Sequence, residues 1–240
     1  HFQVSARSDR YDQFGTKHTG YGGYGYDLMP GLTLTAGTGT AFKAPTFNQL
    51  YFPGFGNPNL QPESANNSEV GLKFNGGGWQ VNAVYFRNAV KNLIVNAGTP
   101  LAPQNVGSAL LTGTTLSAST QLGDTDLNAN LNWQDPRDAT NNLLLPRRAK
   151  QFMNITASRA MFGGRGGIEF QQSGSRYSDA ANLVRMGGYG LLNAYFEKPI
   201  DREWVMFARA DNLGGKTYEL IRDFAVAGRS VFFGVRYQER

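Results

Sequence analysis

Apolar and polar residues alternate with a period of two along most of this chain, which predicts β-strands whose two faces differ in chemistry. From Asp126 to Gln134, Leu127, Ala129, Leu131 and Trp133 alternate with Asn128, Asn130, Asn132 and Gln134. Phe2, Val4 and Ala6 alternate with Gln3, Ser5 and Arg7, and Val70, Leu72 and Phe74 with Glu69, Gly71 and Lys73. At the far end Val231, Phe233, Val235 and Tyr237 do the same against Ser230, Phe232, Gly234 and Arg236. About twelve such segments are predicted, near 2–11, 18–28, 32–42, 67–75, 79–88, 104–121, 125–134, 149–162, 165–177, 185–197, 203–211 and 229–238. Many approach the length of about nine to eleven residues that a tilted strand needs to cross a bilayer.

After the first pair, short turns alternate with long loops. Leu28-Met29-Pro30-Gly31, Asn75-Gly76-Gly77-Gly78, Gly123-Asp124 and Gly163-Gly164 are tight, whereas 43–66, 89–103, 135–148 and 212–228 are long, polar and rich in Pro, Gly and Asn. Short periplasmic turns and longer extracellular loops make that rhythm in an outer-membrane barrel, and it puts the C-terminus on the periplasmic side. A soluble β-sandwich has strands of about five or six residues and no such rhythm. Aromatic residues fit two interfacial belts. Trp79, Trp204, Tyr24, Tyr26, Phe162, Phe196 and Tyr237 fall near the short turns, and Tyr11, Phe42, Tyr85, Trp133 and Tyr177 near the long loops.

Composition sharpens this picture and excludes other classes. Glycine accounts for 30 of 240 residues and charged residues for only 17%, against about a quarter in ordinary soluble domains. No stretch approaches the roughly 18 apolar residues of a membrane helix. The absence of cysteine excludes disulfides and thiolate metal sites. A net charge of +5 raises nucleic acid as a partner, but a nucleic-acid footprint is a basic patch or stripe. Here Lys and Arg are scattered, apart from Arg147, Arg148 and Lys150, so no nucleic-acid partner is assigned. His1 and His18 are the only histidines, and no nucleophile elbow, P-loop or HExxH motif occurs, so the chain is not read as an enzyme. Asp124 with Asp126, and Asp135 with Asp138, have the oxygen chemistry for calcium, but carboxylates in turns are ordinarily turn formers. No metal or cofactor is assigned.

A series of motifs adds specificity. Gly39-Thr40-Ala41-Phe42-Lys43-Ala44-Pro45 precedes Asn57-Pro58-Asn59-Leu60-Gln61-Pro62-Glu63 and Glu69-Val70-Gly71-Leu72. Tyr85-Phe86-Arg87-Asn88 with Leu93-Ile94, then Ala210-Asp211-Asn212-Leu213, Tyr218 and Gly228-Arg229 follow. In that order, over nearly the whole chain, they resemble the C-terminal half of a TonB-dependent outer-membrane receptor. Within that family, Leu145-Pro146-Arg147-Arg148-Ala149-Lys150-Gln151, Gly39–Pro45, Gln49-Leu50-Tyr51, Gly56–Leu60 and Arg185-Met186-Gly187-Gly188 resemble the cobalamin (vitamin B12) branch. Ferric-siderophore and haem receptors share the Asn-Pro-x-Leu-x-Pro-Glu and Asn-Leu segments. The end of the chain departs from the family: Tyr237 is followed by Gln238-Glu239-Arg240, where such chains ordinarily finish on an aromatic residue.

The resemblance implies an all-β fold, an antiparallel transmembrane β-barrel in the outer membrane of a Gram-negative bacterium. It also implies import of cobalamin or a related corrinoid, or alternatively a ferric siderophore, powered by the TonB complex acting on a plug, with no bond chemistry. The implied partners are outer-membrane lipid, lipopolysaccharide and the barrel-assembly machinery. Barrels of about 22 strands form plugged transporters, and twelve strands alone leave two edges that lipid does not tolerate. No signal peptide is visible and His1 opens into strand-like sequence. The expectation is therefore that residues 1–240 are the C-terminal part of a larger barrel, with plug and first strands upstream. A passive diffusion porin is the rival reading.

Candidate ligand contacts are Tyr51, Phe55 and Asn57 in the 43–66 loop, Arg147 and Arg148 where a long loop enters the barrel, and Arg185. Pro58 and Pro62 stiffen the first of these loops and lower the entropy lost if it orders over a ligand. Guanidinium forks at Arg147 and Arg148 suit phosphate or carboxylate, whether on a ligand, on lipopolysaccharide or on the barrel wall. Alternation places Lys73, Asn128, Asn130, Asn132, Arg209 and Asp211 on the polar lumen face.

Overall fold

A computed structural model describes residues 1–98 and 100–239. Its strands are β1 (Phe2–Tyr11), β2 (Gly15–Met29), β3 (Leu32–Lys43), β4 (Glu63–Gly76), β5 (Trp79–Ala97), β6 (Ala102–Leu122), β7 (Thr125–Asp138), β8 (Gln151–Met161), β9 (Gly164–Ser173), the two-residue β10 (Arg176–Tyr177) and β11 (Arg185–Met186), β12 (Tyr189–Pro199), β13 (Trp204–Asp211) and β14 (Ser230–Tyr237). One short helix, α1 (Phe47–Tyr51), follows β3. Among the described residues, twelve strands form one sheet in the order β1-β2-β3-β4-β5-β6-β7-β8-β9-β12-β13-β14, while β10 and β11 pair with each other outside it. All neighbours are antiparallel and, apart from β9 and β12, whose connecting loop holds β10 and β11, consecutive along the chain.

The pairing carries the two-faced pattern from strand to strand without a break. One row runs Ala36–Val70–Tyr85–Thr114–Trp133–Gln151 across six strands, and Leu32, Phe74, Val81, Ala118, Ala129, Ile155, Phe170 and Leu192 lie on the same face. This face is apolar and exposed: Val70, Leu72 and Ile168, in strands paired on both sides, are 45%, 45% and 53% accessible. A contiguous apolar surface of that kind marks contact with lipid. Tyr24, Tyr26, Trp79, Phe196, Trp204 and Tyr237 share it near the short turns, where the Trp204 and Tyr237 rings are 5.2 Å apart. One row above Tyr85 and Trp133 the face turns polar, with Ser68, Arg87, Thr112 and Asp135 aligned.

The opposite face is polar and hydrogen-bonded along its length. Lys73, Asn128, Asn130, Asn132, Arg209 and Asp211 all lie on it by register, as alternation predicts. Asn132 Nδ2 donates to Thr115 Oγ1 at 3.0 Å, Arg209 pairs with Asp211 at 3.0 Å, and Arg165 pairs with Asp126. Much of the glycine serves this face. The Tyr21 ring lies where a side chain on Gly37 would stand, and its hydroxyl donates to Glu69 Oε1 at 3.1 Å. Phe207 covers Gly234 in the same way. At the short turns, Gly31 has φ +81 and a side chain there would collide with the Asn75 carbonyl, so only glycine fits.

Three expectations are corrected. Segment 89–103, expected as a loop, is mostly strand: β5 and β6 run on to Ala97 and from Ala102, with Thr99 outside the described residues. At 19 and 21 residues these strands exceed the membrane span, and the raised part stands in water. Strands expected at 165–177 and 185–197 instead end at Ser173 and begin at Tyr189, so Arg176, Tyr177, Arg185 and Met186 leave the wall for a small hairpin within a long loop. Gly228-Arg229, expected to open the last strand, precede it, and Arg240 lies outside the described residues.

Candidate functional site at the long-loop mouth

The long-loop end of the sheet is built from residues 44–62, the raised β5–β6 hairpin, and loops 139–150, 174–188 and 212–229. Loop 44–62 starts with α1, whose first turn is closed by a capping box: Gln49 N–H donates to Thr46 Oγ1 and Thr46 N–H to Gln49 Oε1. Leu50 and Leu60, 4% and 2% exposed, then bury against Ile94 of the raised hairpin, with Phe14 alongside. Asn105 fastens the contact, accepting from Gln61 N–H and donating to the carbonyls of Gln61 and Asn92 at 2.7–2.8 Å.

On its other side the hairpin meets loop 139–150. Leu145 is 3% exposed and packs on Val90, Leu93, Ala109 and Leu111. Val90, Ala109 and Leu111 share the lumen face with Asn88 and Gly113, so this loop folds inward over the mouth. The kink at Asn92, φ +56, lies at the base of this partition.

Loops 139–150, 174–188 and 212–229 interlock. Arg147 N–H donates to the Tyr177 carbonyl at 2.6 Å, and Asn182 exchanges two hydrogen bonds with the Leu144 backbone at 2.8 and 2.9 Å. Arg176, 6% exposed, donates to the Glu219 carbonyl at 2.5 Å and to Ser173 Oγ, with its guanidinium 5.4 Å from the Tyr189 ring. Tyr189 in turn lies 4.3 Å from Tyr218. Asp179 accepts from the Leu183 and Val184 amides at 3.1 and 2.7 Å, which holds its carboxyl below the usual carboxylate range. Between the last two loops lies a cleft of about 480 Å³, lined by Arg185, Gly188, Lys216, Tyr218, Glu219 and Arg222.

The six residues singled out by sequence fall into two groups. Tyr51, Phe55 and Asn57 belong to loop 44–62. Tyr51 is half exposed and donates to Gln13 Oε1 at 2.9 Å; Phe55 packs edge-on to Phe52; Asn57 accepts from Asn59 N–H and donates to the Pro103 carbonyl, so both ends of its amide hold the loop together. Arg147 and Arg185 meet at Tyr177, one through the backbone and one as its strand partner, and Arg148 follows. Arg147 and Arg148 are exposed and make no ion pair among the described residues, whereas Lys150 is taken by the wall carboxylate Asp135 at 2.6 Å. Arg185 donates to Ser175 Oγ. Among the described residues no three His, Cys, Asp or Glu side chains cluster to hold a metal. Arg176 escaped sequence reading because it continued a strand-like pattern past Ser173, where the wall strand ends.

Comparison with known proteins agrees with this geometry. Residues 1–213 match the family described as TonB dependent receptor-like, beta-barrel. A protein named vitamin B12 transporter BtuB, from Vibrio vulnificus (strain YJ016), is 30% identical over 98% of this chain, which spans about 40% of that protein's length. Two solved structures share the fold. The siderophore receptor PirA from Acinetobacter baumannii superposes with a TM-score of 0.78 at 17% identity, over 98% of this chain and 43% of that one. The copper transporter OprC gives 0.76 at 22%, over 92% and 39%. A two-faced antiparallel wall, short turns at one end and interlocked loops at the other, and the family match across 213 residues converge: this chain belongs to the TonB-dependent receptor family and forms part of its β-barrel.

Proposed function

We propose that the chain supplies part of the wall and the outer mouth of a transporter that imports cobalamin or a related corrinoid across the outer membrane of a Gram-negative bacterium. The observation that carries the ligand class is the 30% identity to the protein named vitamin B12 transporter, spread over 98% of this chain. In this reading β1 and β14, each paired on one side only, join further strands of a longer chain. A plug within the closed wall answers to the TonB complex. The exposed apolar face meets lipid, the loop cations face lipopolysaccharide phosphates or ligand, and the barrel-assembly machinery inserts the whole. Transport proceeds by binding and displacement, without bond chemistry.

A ferric-siderophore receptor is the second reading, favoured by the fold shared with PirA. Retention of labelled cyanocobalamin by outer-membrane vesicles carrying the full-length protein separates the two. Saturable retention that ferric siderophores do not displace supports the corrinoid reading. No retention, with siderophore bound instead, moves the ligand to the second class.

A further inference from the structure

A chain of hydrogen bonds runs from the lumen wall to the root of the last outer loop. Glu169, on the lumen face of β9, receives three side-chain amides: Asn154 Nδ2 at 2.5 Å, Gln171 Nε2 at 3.2 Å and Asn193 Nδ2 at 3.3 Å. Asn193 stands directly opposite Glu169 on β12. Its other amide atom, Oδ1, accepts the Asn212 N–H at 2.9 Å. Asn212 is 4% exposed, has φ +52, and closes loop 212–229 on itself by donating to the Lys216 carbonyl and accepting the Lys216 N–H at 2.9 and 2.8 Å.

The orientation of Asn193 is fixed from both ends. Its NH₂ must face an acceptor at 169, and only then does its oxygen face the Asn212 amide. All three bonds to Glu169 are donated to it, so a carboxylate is the group the site requires. We infer that Glu169 is a positioning residue for the outer mouth. Through Asn193 and Asn212 it sets the root of loop 212–229, and a donor group in the lumen that takes its oxygens loosens that loop. The link holds whatever the transported ligand is, and its test needs no ligand.

The test uses the full-length protein in detergent and follows amide hydrogen exchange of residues 212–216 by mass spectrometry, with residues 125–134 as internal control. In Glu169→Gln, one face of residue 169 becomes an NH₂. The remaining carbonyl oxygen stays with Asn154 and Gln171, the two donors that share Oε1, so the new NH₂ faces Asn193, which then either meets a donor or flips and turns its own NH₂ toward the Asn212 N–H. Exchange at 212–216 rises about tenfold or more, the loss expected for a hydrogen bond to a charged group, while 125–134 stays unchanged. The double variant Glu169→Gln with Asn193→Asp restores every bond with donor and acceptor exchanged. The new amide at position 169 donates to the new carboxylate at position 193, whose second oxygen accepts the Asn212 N–H. The amide oxygen at 169 still accepts from Asn154 and Gln171. Exchange at 212–216 in this double variant returns to within about threefold of wild type, since the charged acceptor is restored one residue along the same path. An unchanged Glu169→Gln, a uniform rise over both regions, or a double variant no better than the single one overturns the inference.

Discussion

Truncating Leu145 to alanine tests whether loop 139–150 is a packed part of the mouth. Leu145 is 3% exposed and rests on Val90, Leu93, Ala109 and Leu111. Large-to-small changes at such sites cost about 2–5 kcal/mol, the spread reflecting how far the cavity collapses. Here the cost falls on one loop, because the wall is held by its own strand ladders, so it appears as local opening rather than global unfolding. At about 3 kcal/mol, the open state of the loop becomes about a hundredfold more populated. The assay is hydrogen exchange of the full-length protein, read at Leu145 N–H, bonded to Pro136 O at 2.9 Å, and at Arg147 N–H, bonded to Tyr177 O at 2.6 Å. Both exchange about a hundredfold faster in Leu145→Ala, and residues 128–132 keep their rate. Leu183→Ala, at a leucine 83% exposed, changes neither. Unaltered protection at Leu145 and Arg147 refutes the packing described, and an equal effect from Leu183→Ala refutes its specificity.

Other predictions follow from the two faces and the interlocked loops. Leu131→Arg, in the middle of the lipid band, costs about 2–4 kcal/mol in chemical unfolding from vesicles, whereas Asn130→Arg, one residue away on the lumen face, costs less than about 1 kcal/mol. Arg176→Ala leaves Glu219 O and Ser173 Oγ without their buried donor, so loop 212–229 is cut by added protease at least about tenfold faster. The carboxyl of Asp179 titrates below its ordinary value in the folded loop. Its contribution to loop order is therefore complete above the ordinary carboxylate range and is lost as pH falls through the lowered value. Exchange at Val184 N–H, corrected for intrinsic pH dependence, rises in acid in the wild type and is flat with pH in Asp179→Asn.

What was legible in the sequence was set by the membrane. Where lipid lies on one side and a polar lumen on the other, every second residue must change character, and Leu127 to Gln134 record this directly. Above the membrane that demand ends. The raised β5–β6 hairpin has water and loops around it, so Asn92, Asn96 and Pro103 sit in strands that read as loop. Arg176 and Tyr177 failed in the opposite sense, continuing an alternating pattern although the wall strand ends at Ser173. At the mouth, Leu145 and Leu60 look like ordinary loop leucines, because their burial is made by contacts far along the chain. Asn57, read from the sequence as a candidate ligand contact, holds loop 44–62 to Pro103 through its amide. Glu169, Asn193 and Asn212 gave no local signal of acting together, since only strand pairing makes them neighbours.

This chain holds no cysteine, so with any cysteine elsewhere in the full-length protein changed to serine, a single introduced thiol tests the account on intact cells. Single cysteines replace Tyr51, Arg148 and Arg185 at the mouth and Gly123 at a short turn, in the full-length protein, and a membrane-impermeant maleimide is added from outside with or without cyanocobalamin. The three mouth positions are expected to label, at least one of them severalfold more slowly when cyanocobalamin is bound, and the Gly123→Cys position not to label. Labelling at Gly123→Cys would contradict the orientation of the wall, and mouth labelling indifferent to saturating cyanocobalamin would contradict a corrinoid-binding mouth.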